Sequence, residues 1–252
     1  MRAWSVVFLG LLALAPVPAF AAQSSADRDR AALQNRLGWE QMRVEHWAEA
    51  AKYFQQAIDI DPRFKYAYYG LGRANLALKR YVESIAALER CRGLYQEEAG
   101  RKFASAQDAQ RFRQDRLLEI DEQIRFEQVA RPQNSQRGQD TMRQLQLARQ
   151  NVQESLRRGN DIAIENTIPP WVSLSLGSAY FRASRMADAE RAYKETIASD
   201  PKSGEAYSNL AVVFLETGRY ADAEDAVKSA KKVGFKVHPQ LEQDIKDRRK
   251  GS

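Results

Sequence analysis

Four stretches of the chain repeat one pattern of apolar, small and polar positions. Ala50, Phe54 and Ala57 stand at i, i+4 and i+7, which places them on one face of a helix. Leu37-Gly38 precedes them and Asp61-Pro62 follows. Thirty-four positions on, Leu71-Gly72 precedes Ser84, Leu88 and Cys91. Further along, Leu176-Gly177 and Tyr180 lead to Ala189, Tyr193 and Asp200-Pro201. Another thirty-four positions later come Tyr207, Leu210-Ala211, Phe214, Ala223 and Ala230. An ordinary helical bundle needs no constant period. This period predicts an all-α chain in which a helix-turn-helix unit stacks on copies of itself.

The residue types give the pattern its physical meaning. Gly38 is small enough to let a neighbouring helix approach closely, and Ala50 and Ala57 do the same from the second helix. Phe54 fills the space between them. Bulky residues recur just inside each second helix, at Trp47, Tyr81, Met186 and Tyr220. Lys79-Arg80 and Gly218-Arg219 are expected in the turns that feed those helices. Pro62 is expected in the first turn of the following helix, where a missing N–H costs nothing.

On these residues, segments 31–64, 65–98, 170–203 and 204–237 resemble tetratricopeptide repeats. The match covers a little over half the chain and keeps strict register within each tandem pair. It departs from the family pattern at Gln34, Gln41, Asn75, Ser84, Gln96, Ser173, Thr196, Ala211 and Phe235. The resemblance implies an α-solenoid of two repeat pairs, 31–98 and 170–237, whose first helices line a concave groove for a protein or peptide partner. It places Asn35, Trp39, Met42 and Arg43 of the first repeat in that groove, with Tyr66, Tyr69 and Arg73 of the second. The third repeat contributes Trp171, Ser178, Phe181 and Arg182, and the fourth Ser208. Trp, Tyr and Arg carry much of the energy at protein interfaces, and arginines form charge-assisted bonds to carboxylates. The opposing reading of each aromatic is packing against the next repeat or the insert. Some family members clamp a terminal carboxylate with Lys, Asn and Arg. Here Asn35 and Trp39 stand where that clamp has Lys and Asn, so it is not carried over.

Residues 99–169 interrupt the pattern with a Gln-, Arg- and Glu-rich helical insert. Phe103, Ala106, Ala109, Phe112, Leu117, Ile120 and Ile124 form one helical stripe, interrupted by Arg113 and Arg116. Met142, Leu145, Ala148, Val152 and Leu156 form a second, beyond a turn marked by Pro132, Asn134, Ser135 and Gly138. An antiparallel hairpin, a pair of degenerate repeats, a partner-binding arm and a plain spacer all fit this pattern. Residues 238–252 read as a capping helix and tail, with Leu241 and Ile245 turned toward the exposed end of the last repeat.

Residues 1–21 read as an export signal: Arg2, an apolar stretch from Ala3 to Ala15, then Pro16, Pro18 and a small-x-small site at Ala19-Phe20-Ala21. The expected location is therefore periplasmic or secreted, with membrane contact only through an uncleaved signal. Cys91 is the one cysteine and sits at a small, buried repeat position, which suits packing better than reactivity. His46 and His238 lie far apart in the repeat scheme, so no zinc site is expected. No nucleophilic triad, phosphate loop or dinucleotide fingerprint is present, so neither enzymatic activity nor a cofactor is expected. A net charge of +6 and a pI near 9.4 invite a nucleic-acid partner. Interspersed acids and bases on an exported chain argue for none. The pattern points to a non-enzymatic interaction scaffold of the cell envelope. The alternative is an accessory subunit of an envelope enzyme or secretion complex that docks through the insert. The pattern does not specify an oligomeric state.

Export with cleavage gives a mature chain beginning near Ala22. Mass spectrometry of the native protein is expected to find that N-terminus, and retention of Met1 through Ala21 is the contrary result.

Overall fold

The computed structural model describes residues 25–99, 103, 105–130, 136–159 and 168–250, and the export signal expected at 1–21 lies outside them. Among the described residues the chain forms eleven helices and no strand. Four antiparallel pairs make the stack: α1 (Ser25–Arg43) with α2 (Trp47–Ile60), α3 (Lys65–Ala77) with α4 (Tyr81–Glu98), α7 (Pro170–Arg182) with α8 (Met186–Ser199), and α9 (Gly204–Glu216) with α10 (Tyr220–Lys232). Between the second and third pairs, α5 (Ala106–Ala130) and α6 (Gln136–Arg158) form a hairpin. α11 (Pro239–Lys250) packs on α10. The stack runs on across the hairpin, because α4 packs directly against α7. None of the described helices is long and apolar enough to cross a membrane.

The first three pairs each close on a residue without a side chain facing a large one. A Cβ added to Gly38 would stand 2.6 Å from the Phe54 ring, and Gly70 of the next pair meets the same ring from its other side. Gly72 faces Leu88 and Gly177 faces Tyr193, and a Cβ added to either glycine would stand 2.5 Å from the facing side chain. The fourth repeat has the larger Ala211 and the smaller Val227 at these positions, both buried. Departures from the usual small residue are satisfied locally. Ser84 Oγ donates to the Gly72 carbonyl at 2.7 Å, and Thr196 Oγ1 donates to that of Ala192 at 2.9 Å. Tyr180 donates to the Glu89 carboxylate, tying the third pair to the second.

The turns inside the pairs share one geometry. Glu45, Lys79, Ser184 and Gly218 occupy equivalent positions with φ between 60° and 74°. In each, the following N–H bonds back to a carbonyl near the end of the first helix: His46 to Gln41 O, Arg80 to Asn75 O, Arg185 to Tyr180 O and Arg219 to Phe214 O. This closes the first helix with a Schellman motif, whose left-handed residue is usually glycine. Only the fourth repeat has one.

Between pairs the expectation for proline is corrected. Pro62 and Pro201 lie in turns before α3 and α9, outside their first helical turns. Each follows the aspartate that starts the turn, where its fixed φ suits the second position. The Asp61 and Asp200 carboxylates accept the N–H groups of Arg63 and Lys202 at 2.9 and 3.1 Å. The next helices begin only at Lys65 and Gly204.

Two variants test this packing by thermal unfolding. Gly177→Leu is expected to lose about 1–3 kcal/mol or more, because the Tyr193 ring occupies the space the side chain needs. Ser184→Gly is expected to gain about 0.5–1 kcal/mol by relieving a left-handed conformation that costs an L-residue roughly 1–2 kcal/mol. An unchanged melting temperature in both would refute this register.

Candidate functional site

The first helices α1, α3, α7 and α9 present one face each to the concave side of the stack. Its N-terminal half carries rings. Trp39 packs on Phe54, Tyr66 and Tyr69 with centroids at 5.1, 5.3 and 5.9 Å. Trp171 meets Tyr69, Tyr66 and Tyr95 at 4.3, 5.9 and 6.0 Å. This strip joins three repeats through tilted and edge-to-face contacts, an arrangement worth more than its buried area alone.

The hairpin covers this strip. Asp115 of α5 pairs with Arg28 at 2.9 Å, and Glu122 accepts from Asn35 Nδ2 at 3.5 Å. Both contacts join residues 87 positions apart, so α5 runs parallel to α1. Glu119 of α5 is buried against Lys65 at 3.4 Å and Arg116 at 2.8 Å, and it accepts the Tyr95 hydroxyl at 2.6 Å. Lys65 also reaches Glu98 at 2.5 Å. Burial alone would raise the Glu119 pKa. Lys65, Arg116 and the Tyr95 hydroxyl outweigh it and hold the carboxyl at about 2. Burial is the leading influence on Asp115 and Glu122 too, and there it prevails and raises both. Arg113, which interrupts the sequence stripe, is buried and bonds the Gly159 carbonyl at 3.4 Å.

The groove residues named from the sequence therefore divide. Asn35, Tyr66 and Tyr69 are only 0, 2 and 5% exposed, beneath α5 and neighbouring rings. They are not open to a partner in this conformation. Trp39 and Trp171 are half-buried within the same strip. Toward the other end of the first helices a groove of about 650 Å³ stays open, lined by Met42, Arg73, Ser178, Phe181, Arg182 and Val212. Arg73 lies over the Tyr69 ring, 5.8 Å from its centroid. Arg182 and Arg43 are exposed, Arg43 just beyond the lining, while Ser208 is half-buried on α9 outside it. Trp47, Leu76, Ala77, Lys79, Tyr81, Tyr193 and Asn209 also line it and were not among the groove residues read from sequence. Trp47 and Tyr81 open their helices, and their recurrence was visible as a repeat feature. Its second role needed the adjoining first helices.

No group of histidine, cysteine or carboxylate side chains suited to a metal occurs among the described residues. Cys91 is buried, and burial pushes its thiol well above the usual range, as expected of a packing residue. The open groove offers guanidinium groups, apolar walls and aromatic rings, a lining that can hold a carboxylate-bearing peptide.

The profile described as Tetratricopeptide repeat matches residues 35–112 and 174–233, more than half of the chain. Among solved structures the chain is similar to TTC0263, a thermophilic tetratricopeptide-repeat protein of Thermus thermophilus, with 16% identity over 87% of this chain and 98% of that one and a TM-score of 0.36. It is similar to PilW, described as a widely conserved type IV pilus biogenesis factor, with 15% identity, coverage of 88% and 87%, and a TM-score of 0.41. It is also similar to YrrB, described as having an unusual peptide-binding site, with 12% identity, coverage of 90% and 100%, and a TM-score of 0.29. No curated protein matches the chain.

Glu119 makes the hairpin seat acid-sensitive. Its carboxyl titrates at about 2 when folded and near 4.3 when unfolded. The stability it contributes is present above pH 4.3 and is lost as the pH falls toward 2. Asp115 and Glu122 act in the opposite direction, since raised carboxyls favour folding as they protonate. Glu119→Gln is therefore expected to lose about 3 kcal/mol at pH 7 in urea unfolding. The gap from wild type should narrow between pH 4.5 and pH 2. A gap independent of pH would refute the charged seat.

Proposed function

The chain belongs to the tetratricopeptide-repeat family, whose members mediate protein–protein interactions, and from that premise we propose that it is a non-enzymatic scaffold of the cell envelope. It binds an extended or helical peptide segment in the open part of its concave groove. The observation that carries this reading is the groove itself: about 650 Å³, with Phe181, Met42 and Val212 as apolar wall and Arg73 and Arg182 at the polar edge. A segment with an acidic residue flanked by apolar ones fits that lining, with the carboxylate on a guanidinium fork and the apolar groups against the ring. The envelope location rests on the leader at residues 1–21.

Core and groove residues respond oppositely to truncation. A core aromatic replaced by Ala costs several kcal/mol of stability, whereas a groove residue costs little stability and weakens binding by about 1 kcal/mol or more. The test is a peptide-display selection on the mature protein, followed by affinity measurements on Phe181→Ala and Arg182→Ala. Enriched peptides are expected to combine an acidic residue with apolar neighbours. Both variants are expected to keep the wild-type melting temperature and to bind those peptides about fivefold more weakly or worse. Undiminished binding by stable variants would move the binding surface elsewhere.

A further inference from the structure

The hairpin α5–α6 is an addition to the stack and not a link in it. α4 packs directly on α7, and Tyr69 meets Trp171 across that junction at 4.3 Å. Solenoid continuity does not depend on the hairpin. Its first helix nevertheless lies on the concave face and meets it with an acidic edge. Asp115, Glu119 and Glu122 stand at i, i+4 and i+7, on one helical face. Each carboxylate has a counterpart on the solenoid: Arg28 for Asp115, Lys65 and the Tyr95 hydroxyl for Glu119, Asn35 and Arg36 for Glu122.

The match is incomplete where α5 crosses α1. Asn35 is 0% exposed, yet its Oδ1 finds no hydrogen-bond partner among the described residues. Its Nδ2 reaches Glu122 only at 3.5 Å, and Arg36 stands 3.9 Å from the same carboxylate. Buried polar groups in a settled interior are nearly always satisfied, and an exception calls for a reason. A seat that also receives another helix supplies one.

We propose that this seat is a binding surface for an acidic amphipathic helix of a partner protein, with carboxylates at i, i+4 and i+7, and that α5 occupies it in the free protein as an internal stand-in. The partner helix exchanges for α5, meeting the same Arg28, Lys65 and Asn35. The hairpin swings off as a unit, because α6 packs on α5 and Arg149 of α6 holds Asp121 of α5 at 2.6 Å. Discrimination is by charge, since a helix without the three carboxylates leaves Lys65 with Glu98 alone and gives Arg28 no counterpart. This surface is distinct from the open groove, and Phe181→Ala and Arg182→Ala leave it unchanged.

The probe is a fluorescein-labelled synthetic peptide of residues 106–130, added to the full chain. The variant is the full chain carrying Asp115→Lys and Glu122→Lys, which sets cations against Arg28 and Arg36, weakens the internal helix and spares the Glu119 cluster. Hydrogen exchange of α5 and α6 amides is expected to be faster than that of α3 and α4 in wild type. In the variant it should rise about tenfold further while the other helices keep their rates. The variant is expected to bind the peptide about tenfold more tightly than wild type. A peptide with Asp115→Lys, Glu119→Lys and Glu122→Lys should not bind. The proposal is overturned by α5 exchanging only in step with α3, by equal affinities of the two proteins, or by binding of the charge-reversed peptide. Dimerisation with exclusion of the peptide would assign the seat to a second copy of the chain and overturn the partner assignment. Should the double variant lose its cooperative unfolding, Asp115→Lys alone, at the exposed edge beside Arg28, reads the same two quantities.

Discussion

The contact between a glycine and a ring sets the geometry of this molecule. Phe54 lies between Gly38 of its own pair and Gly70 of the next, with no room for a methyl group at either. One side chain thus fixes two distances, that between the helices of a pair and that between successive pairs. Gly177 and Tyr193 repeat the first of these contacts in the third pair. Ala211 and Val227 occupy the same positions in the fourth with a different division of similar volume. Close packing tolerates a redistribution of volume far better than a net change in it. With those crossings set, the first helices turn the same face to the concave side in every pair, and a groove follows from their alignment.

The hairpin is held by different physics. Within the stack the interfaces are mainly apolar, and polar side chains there bond to nearby backbone, as Ser84 does, or to a neighbouring helix, as Tyr180 does to Glu89. The hairpin seat is ionic: Asp115, Glu119 and Glu122 on one edge, with Arg28, Lys65 and Arg36 facing them. Apolar burial is indifferent to pH and nearly so to salt. Ion pairs answer to both, and a buried carboxylate is stable only while its cations are in place. The same chain therefore combines a permanent scaffold with an attachment whose strength depends on charge. For function, the concave face is divided. α5 lies over the aromatic strip of the first three repeats, and the arginine-edged groove toward the other end of the first helices stays open.

The all-α solenoid was legible because each repeat touches only its neighbours, so a constant period states nearly all of its geometry. The resemblance to tetratricopeptide repeats named the residues expected on the concave face. It did not tell which of them stay open. Asn35 and Tyr66 are covered by a segment that meets α1 across 87 positions of chain, and no local pattern encodes a contact of that span. Glu119 looked like one more charged residue on a charged helix. Only the meeting of Lys65 from α3, Tyr95 from α4 and Arg116 from its own turn makes it a buried anion.

Smaller differences have the same origin. Gly218 announces a left-handed turn in sequence, whereas Glu45, Lys79 and Ser184 adopt the same conformation with no glycine to mark it. The sequence by itself determined the unit, its period and the faces it buries, since these follow from helical spacing and residue volume. Only the tertiary structure decided where the insert returns and which part of the groove it leaves free, since that depends on charges brought together from elements far apart in the chain.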